Sequence, residues 1–379
     1  MPTKSKSPAP QTSPAAPQKV TLQDVSNYLN QTFRERENVV NGMLVALLSK
    51  QMLFLLGPPG TAKSALCNSL CKCLDGIFFS WQTSKYTTPE ELFGPISFKA
   101  LESDLYTRVT AGKLPRADVA FIDEIFKGSS AILNTLLPIM NERTFYNGST
   151  PEKIPLQVLF AASNELPEGE ELAAMYDRFV LRYFVQEIGN DANMKALLGS
   201  AASMAAPHFG LDNLKAEQAA VQNVVIPEAM IDLLIQLRNE IKGQGMIVSD
   251  RKWVQIREIL KAQAHLNGRT EVQAADFEIL ENVLWREQSE IKKARQLVAK
   301  YSNPLGQEIL DITDGIRDVI ASFNRKEIED TEAHKKIKKG LERLRGLKKQ
   351  GENNAKLDQA IEQASAIHRK FMTEELGLM

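Results

Sequence analysis

Five short apolar runs punctuate the first half of the chain, at 52–56, 77–81, 119–122, 158–164 and 180–185. Each has strand length, with 77–81 read as another buried strand, and apolar residues at helical spacing fill most of the intervals between them. Ahead of the first run, residues 20–50 predict two helices. Thr21 followed by Asp24 sets the start of the first. Val39, Val40, Met43, Leu44, Leu47 and Leu48 give the second a buried face. Behind the first run, Ala65, Leu66, Ser69, Leu70 and Leu74 share one side of a helix. Segment 129–142 likewise aligns Ile132, Leu133, Leu136, Leu137 and Met140. Two stretches read as hairpins: 96–100 with 105–110, and 144–156 turning at Asn147-Gly148, a favoured turn dipeptide. Apolar strands separated by helices specify an α/β fold, a five-stranded parallel sheet with helices on both faces.

From about residue 187 the pattern is helical throughout. Segments 227–242, 250–266 and 274–298 predict an all-α region that runs to residue 302. After Asn303-Pro304 three amphipathic sets follow. They are Leu305, Ile309, Ile312, Ile316 and Val319; then Ile337, Leu341 and Leu344; then Leu357, Ile361, Ala364 and Phe371. Three such helices can shield one another as a small bundle. The expected organisation is a disordered tail at 1–19, an α/β core at 20–186 with two hairpin insertions, a helical region at 187–302 and C-terminal helices at 303–379. The tail is rich in Pro, Ser, Ala and Lys and lacks the apolar stretch of a secretory signal.

Composition narrows the function classes. At 379 residues, two or three domains are expected. A net charge of −1 gives no global bias toward nucleic acid, and no apolar run approaches the ~20 residues of a membrane-spanning helix. Cys67, Cys71 and Cys73 sit in one helix with no histidine nearby. They read as reduced packing residues, which fits a cytoplasmic protein. The four histidines are scattered and form no metal cluster. Lysines and arginines crowd 335–349, but interspersed glutamates make this a solvated helix face.

The chemistry lies at the ends of the strands. After 52–56 comes Gly57-Pro58-Pro59-Gly60-Thr61-Ala62-Lys63-Ser64 and then a helix. Glycines let the backbone curl so that N–H groups face phosphate oxygens at the positive end of the helix dipole. Lys63 would neutralise β/γ-phosphate charge, and the Ser64 hydroxyl would hold Mg²⁺. Ala62 departs from the strict motif, which has glycine there. The run 119–122 ends on Asp123-Glu124. An acidic pair is costly to bury, so it belongs at the carboxyl end of the strand, where ligands of open α/β sheets sit. There Asp123 would enter the Mg²⁺ shell, and Glu124 would polarise the attacking water. Each motif is weak alone, but the two together, in this order and each at a strand end, are strong.

With these residues in place the chain resembles an AAA+ ATPase of the MoxR branch, and most closely the RavA (regulatory ATPase variant A) group. The matching stretches are 56–64, 88–97, 121–143, 162–167, 176–182, 249–253 and Gly268-Arg269, spanning roughly 22–285. Ala62 is itself usual in that group. The resemblance implies a five-stranded ATPase core with two hairpin insertions, a helical lid and a ring, usually of six subunits. It also implies ATP and Mg²⁺ as cofactors, a protein client and a von Willebrand factor A domain partner. By position, Asn164 resembles the sensor-1 residue that orients water. Arg178 resembles the arginine finger offered to a neighbouring subunit, and Arg251 the sensor-2 arginine of the lid. Arg182, Arg143 and Arg116 compete as fingers on charge alone. The expected function is ATP-driven remodelling or maturation of protein complexes. A nucleic-acid motor or restriction-type subunit is one alternative. A nucleotide-dependent scaffold is another, against which the intact Asp123, Glu124 and Asn164 argue.

Overall fold

The computed structural model describes residues 20–199, 205–325, 327–349 and 355–374; the tail expected at 1–19 lies outside them. Two compact units emerge. Of the described residues, one holds those up to Phe179 together with those in Tyr183–Ala219, and the other holds Val180–Arg182 with those from Ala220 onward.

In the first unit, α1 (Leu22–Thr32) and α2 (Glu37–Ser49) lead into β1 (Met52–Leu56). Thr21 and Asp24 form the expected reciprocal cap, with the Asp24 carboxylate accepting from Thr21 N at 2.8 Å. Next come α3 (Lys63–Cys73), β2 (Phe78–Gln82), α4 (Pro89–Phe93), α5 (Phe98–Leu101), β3 (Val119–Asp123) and α6 (Ser130–Glu142). The hairpin β4 (Thr144–Asn147) and β5 (Thr150–Lys153) precedes β6 (Val158–Ser163), α7 (Glu170–Tyr176), β7 (Phe179–Phe184), α8 (Asp191–Gly199) and α9 (Leu211–Gln222). The parallel sheet has the order β2-β3-β6-β1-β7. Every residue of β1 and β6 is buried, as a strand covered on both faces requires.

Three expectations about this unit need correction. Segment 77–81, read as a buried strand, is the edge strand β2, and Ile77 before it is 58% exposed. Segment 96–110 is not a two-stranded hairpin. Ser97 caps α5, whose short helix consumes the first arm, and a single antiparallel bridge joins Ile96 to Arg108. Leu137 is half-buried, and Ile139 takes the core position beside Pro138 in α6.

The second unit contains α10 (Glu228–Gly243), α11 (Asp250–Leu266) and α12 (Ile291–Ser302). The single helix expected over 274–298 is broken. A 3₁₀ stretch at Ala274–Asn282 is capped at Gln273 and Asp276, and Trp285 is buried in the gap. Glu290 then accepts from the N–H groups of Arg286 and Glu287 and starts the next helix. Three further helices, α13 (Pro304–Asn324), α14 (Asp330–Lys349) and α15 (Ala355–Glu374), enclose a core of Ile309, Ile312, Ile316, Ile337, Leu341, Leu344, Leu357 and Ala364. The side chain of Phe371 lies outside the described residues.

Candidate active site

The loop after β1 takes its shape from a few backbone positions. Gly57 approaches Val185 so closely that a Cβ there would sit 2.1 Å from the Val185 carbonyl oxygen. Gly60 has φ +82° and Ala62 φ +63°, both left-handed. Ala62 therefore carries the strain that glycine would avoid, about 1–2 kcal/mol. It stands at the N-cap of α3 with no side-chain cap, so the first N–H groups of that helix remain available to an anion. Lys63 is buried. Its ammonium donates to the carbonyls of Gly57 and Pro58, each at 2.8 Å, and lies 3.5 Å from Thr61 Oγ1. Thr61 in turn donates to Pro58 O at 3.0 Å. Ser64 is exposed on the first turn of α3.

Strand register sets the other side of the site. Leu56 pairs with Ser163, and Ile122 pairs with Ala161. The carboxyl ends of β1, β6 and β3 are therefore neighbours, and at ~4.8 Å per strand Gly57, Asn164 and Glu124 leave the sheet within about 10 Å of one another. Gly57 N also donates to Ser163 O at 3.1 Å, which ties the loop to the strand that delivers the exposed Asn164. Asp123 Oδ1 accepts from Glu124 N at 3.0 Å. Glu124 is 5% exposed and left-handed, φ +53°, and its carboxylate pairs with Lys127 Nζ at 3.1 Å. Burial pulls the pKa of Lys63 down, while Asp123 and Glu124 pull it back up. One cation, a hydroxyl, two carboxylates and an amide are thus carried by adjoining strand ends and the start of α3. That donor set fits a triphosphate with a divalent cation, for which Ser64 and Asp123 could supply oxygen ligands.

Two residues that the sequence did not single out support the carboxylates. The Thr83 hydroxyl, 2% exposed, donates to the carbonyls of both Asp123 and Glu124 and fixes the turn after β3. Phe126 packs at 5.4 Å from Phe54 of β1 and 6.0 Å from Tyr176. Tyr176 and Phe179 also pack on Phe54, at 5.5 and 5.8 Å. The same aromatic cluster therefore anchors the carboxylate turn and the turn that carries Arg178.

The four candidate arginines differ in what holds them. Arg182 is fully buried and donates to Trp285 O. Arg143 caps α6 and donates to the carbonyls of Lys50, Met140, Leu156 and Gln157; burial lowers its pKa to about 10. Arg116 bonds Thr110 Oγ1 and Glu152, each at 2.9 Å. Arg178 donates from Nη1 to Ala174 O at 2.9 Å, and its Nε is buried without a hydrogen-bond partner. It directly precedes β7, whereas Val185, just past the other end of that strand, bonds Leu56 O beside the loop. Arg251 is exposed in the first turn of α11, in the second unit.

Beside the loop opens a cleft of about 290 Å³. Pro59, Gly60, Thr61 and Ala62 form one boundary. Thr32, Phe33, Arg34 and Arg36, from the end of α1 and the α1–α2 connection, and Glu187, Ile188, Met194 and Leu197, on and before α8, line the rest. Ligand pockets start near roughly 300 Å³. A mixed lining whose apolar part is Phe33, Ile188, Met194 and Leu197, next to a phosphate cradle, suits a nucleoside. Motif reading missed these residues because the two walls are some 150 positions apart in the chain.

A family profile described as a MoxR domain in the MoxR-vWA-beta-propeller ternary systems matches residues 20–224, and one described as an AAA lid domain matches residues 229–298. Two uncharacterised proteins of Methanocaldococcus jannaschii are each 35% identical to this chain, over 300 and 313 residues. Those alignments cover 79% and 81% of this chain and 79% and 84% of theirs. Chaperone MoxR1 of Mycobacterium tuberculosis is 23% identical over 208 residues, 53% of this chain and 54% of its own. A crystal structure assigned as an ATPase, from Cytophaga hutchinsonii, shares the fold with a TM-score of 0.60 at 17% identity, covering 74% of this chain and 92% of that one.

Proposed function

The chain belongs to the MoxR family of AAA+ ATPases, and on that footing we propose that it hydrolyses ATP in a ring of six identical subunits to remodel or mature protein complexes. The carrying observation is the meeting of Lys63, Asp123 and Glu124 at adjoining strand ends beside a nucleoside-sized cleft. Lys63 leaves the Gly57 and Pro58 carbonyls to bind β/γ-phosphate oxygens, and the α3 N–H groups complete the cradle. Ser64 and Asp123 would hold Mg²⁺, which when bound would supply charge neutralisation at those phosphates. Glu124 takes a proton from the attacking water, which Asn164 orients. Arg251 acts from the lid.

Arg178 serves the active site of a neighbouring subunit. Two observations support this: it stands at the amino end of β7, away from its own loop, and its Nε has no partner. A guanidinium supplied by assembly acts on transition-state charge. A von Willebrand factor A domain protein is the proposed partner, supported by the name of the matched family. The RavA-group assignment rests on the motif stretches alone. Among the described residues no helix is long and apolar enough to cross a membrane. The three free, buried cysteines support a reducing, cytoplasmic setting.

Subunit mixing tests the proposal. Arg178→Ala keeps its own loop and carboxylates, and Lys63→Ala keeps its own Arg178. Each is expected to be inactive alone. Where a Lys63→Ala subunit offers Arg178 to an Arg178→Ala neighbour, a complete site reforms, and ATPase activity partly returns. No recovery in assemblies shown by native mass spectrometry to contain both variants would refute the shared site. Wild-type protein that releases no phosphate from MgATP, alone or with its partner, would refute hydrolysis itself.

A further inference from the structure

We propose that Glu35 is a positioning residue that latches α8 over the nucleoside end of the cleft. This rests on the reading of the cleft as a nucleoside site. Glu35 lies in the connection between α1 and α2, next to Phe33, Arg34 and Arg36, which line one wall. It is left-handed, φ +56°, although it is not glycine. A non-glycine residue held in that conformation must be fixed by its surroundings. What the conformation achieves is plain from its partners. The carboxylate reaches across to the opposite wall and accepts from Gly189 N at 2.9 Å, Asn190 N at 3.0 Å and Asn193 Nδ2 at 2.9 Å. The Asn193 amide and the Gly189 N–H hold its carboxyl below the usual glutamate range, so the latch is charged and closed at neutral pH.

The residue after it reinforces the arrangement. Arg36 is buried and donates to Glu35 O at 2.8 Å and to Gln186 O at 2.7 Å. One short connection thus grips the segment after β7 at four points, from residue 186 to residue 193. The segment needs such a grip, because α8 buries none of its own side chains. Met194 and Leu197 are 38% and 47% exposed, and both line the cleft. A helix with no buried face has little hydrophobic reason to stay in place. Its apolar residues gain cover only when something flat and apolar enters the cleft beneath them. Glu35 keeps them there beforehand, so the ligand does not meet the cost of ordering that wall.

The latch predicts a split between the two halves of the ligand. Inorganic tripolyphosphate touches only the loop, whereas ATP also needs the α8 wall. Calorimetry with Mg²⁺ and each probe on wild-type, Glu35→Ala and Glu35→Gln protein separates them. Glu35→Ala is expected to weaken ATP by about ten-fold and leave tripolyphosphate within about two-fold. Glu35→Gln keeps the length but offers one acceptor oxygen, and should fall between. Hydrogen exchange of the ligand-free protein provides a second readout, with residues 187–199 exchanging faster in Glu35→Ala. Unchanged ATP affinity and unchanged exchange in Glu35→Ala would overturn the latch while the nucleoside reading stands. So would equal loss of both probes in both variants. Wild-type protein that binds ATP no more tightly than tripolyphosphate would overturn the nucleoside reading, and the latch with it.

Discussion

Replacing Lys63 with alanine should weaken MgATP binding by roughly 30- to 1,000-fold, and the reason for that range lies in the free protein. The ammonium is not waiting in solvent. It is buried, with 2.8 Å bonds to the Gly57 and Pro58 carbonyls. Two charge-assisted bonds to phosphate would contribute about 3–6 kcal/mol in isolation. The two carbonyl bonds are given up in the exchange, so the net gain falls to roughly 2–4 kcal/mol, which sets the fold-change. Stability should move far less. Truncation leaves two loop carbonyls short of a donor, at about 1 kcal/mol each, and relief from burying a cation offsets part of that. Lys63→Met keeps most of the buried stem and should lose ATP equally while melting close to wild type. Calorimetry with MgATP and a thermal melt of each variant measure both quantities. A loss of ATP affinity below about five-fold in both variants, with the fold intact, would refute the assignment of Lys63 to the phosphate.

The remaining predictions concern the carboxylate, the loop backbone and the bundle. Glu124→Gln should bind ATP as wild type does yet release phosphate at least ~100-fold more slowly, since an amide cannot take the proton; near-normal turnover would remove Glu124 from the chemistry. Gly57→Ala should lower stability by about 1–3 kcal/mol and abolish ATP binding, because its Cβ would meet Val185 O at 2.1 Å and disturb the 2.7 Å bond from Val185 N to Leu56 O. Gly60→Ala meets nothing within 4 Å and carries only the cost of its left-handed backbone, so a melt lower than that of Gly57→Ala would refute this reasoning. In the bundle, His368 stacks on His334 at 5.1 Å, and burial, then His334, Lys338 and Arg345, lower its pKa. The folded bundle therefore takes up this proton later than the unfolded chain. Its stability is full above about pH 6.5 and declines as the pH falls through that value, levelling off below the folded pKa. Hydrogen exchange of α13–α15 at pH 7.5 and 5.5, corrected for intrinsic rates, should show this loosening in wild type and less of it in His368→Leu; identical pH dependence would refute it.

What could be read from the sequence was what local chemistry encodes. The strands announced themselves because β1, β3 and β6 are buried on both faces and so read as unbroken apolar runs. Asp123-Glu124 was legible because an acidic pair has no place inside such a run. The edge strand β2 was over-read as buried because periodicity records apolar residues and not the number of neighbours a strand acquires. The 96–110 hairpin failed for a related reason. Both arms have strand-like composition, but Ser97 accepts from Ala100 N at 3.3 Å, and that cap favours a helical turn over extended pairing.

The residues that escaped notice are those whose meaning depends on partners far along the chain. Glu35 is one charged residue in a charged connection until its oxygens are seen on Gly189, Asn190 and Asn193, more than 150 positions away. Thr83 is an ordinary threonine until its hydroxyl is found on carbonyls 40 and 41 residues ahead. In both cases the side chain holds mainly another segment's backbone, and a backbone group carries no residue identity for a sequence pattern to display. A phosphate loop is legible for the converse reason. Its contacts also run through the backbone, but they demand left-handed turns and close approaches that few residues can make, so the demand is written in Gly57, Gly60 and the strained Ala62. Local strain thus leaves a mark in composition, whereas long-range support of the kind Glu35 and Thr83 provide becomes visible only in the folded chain.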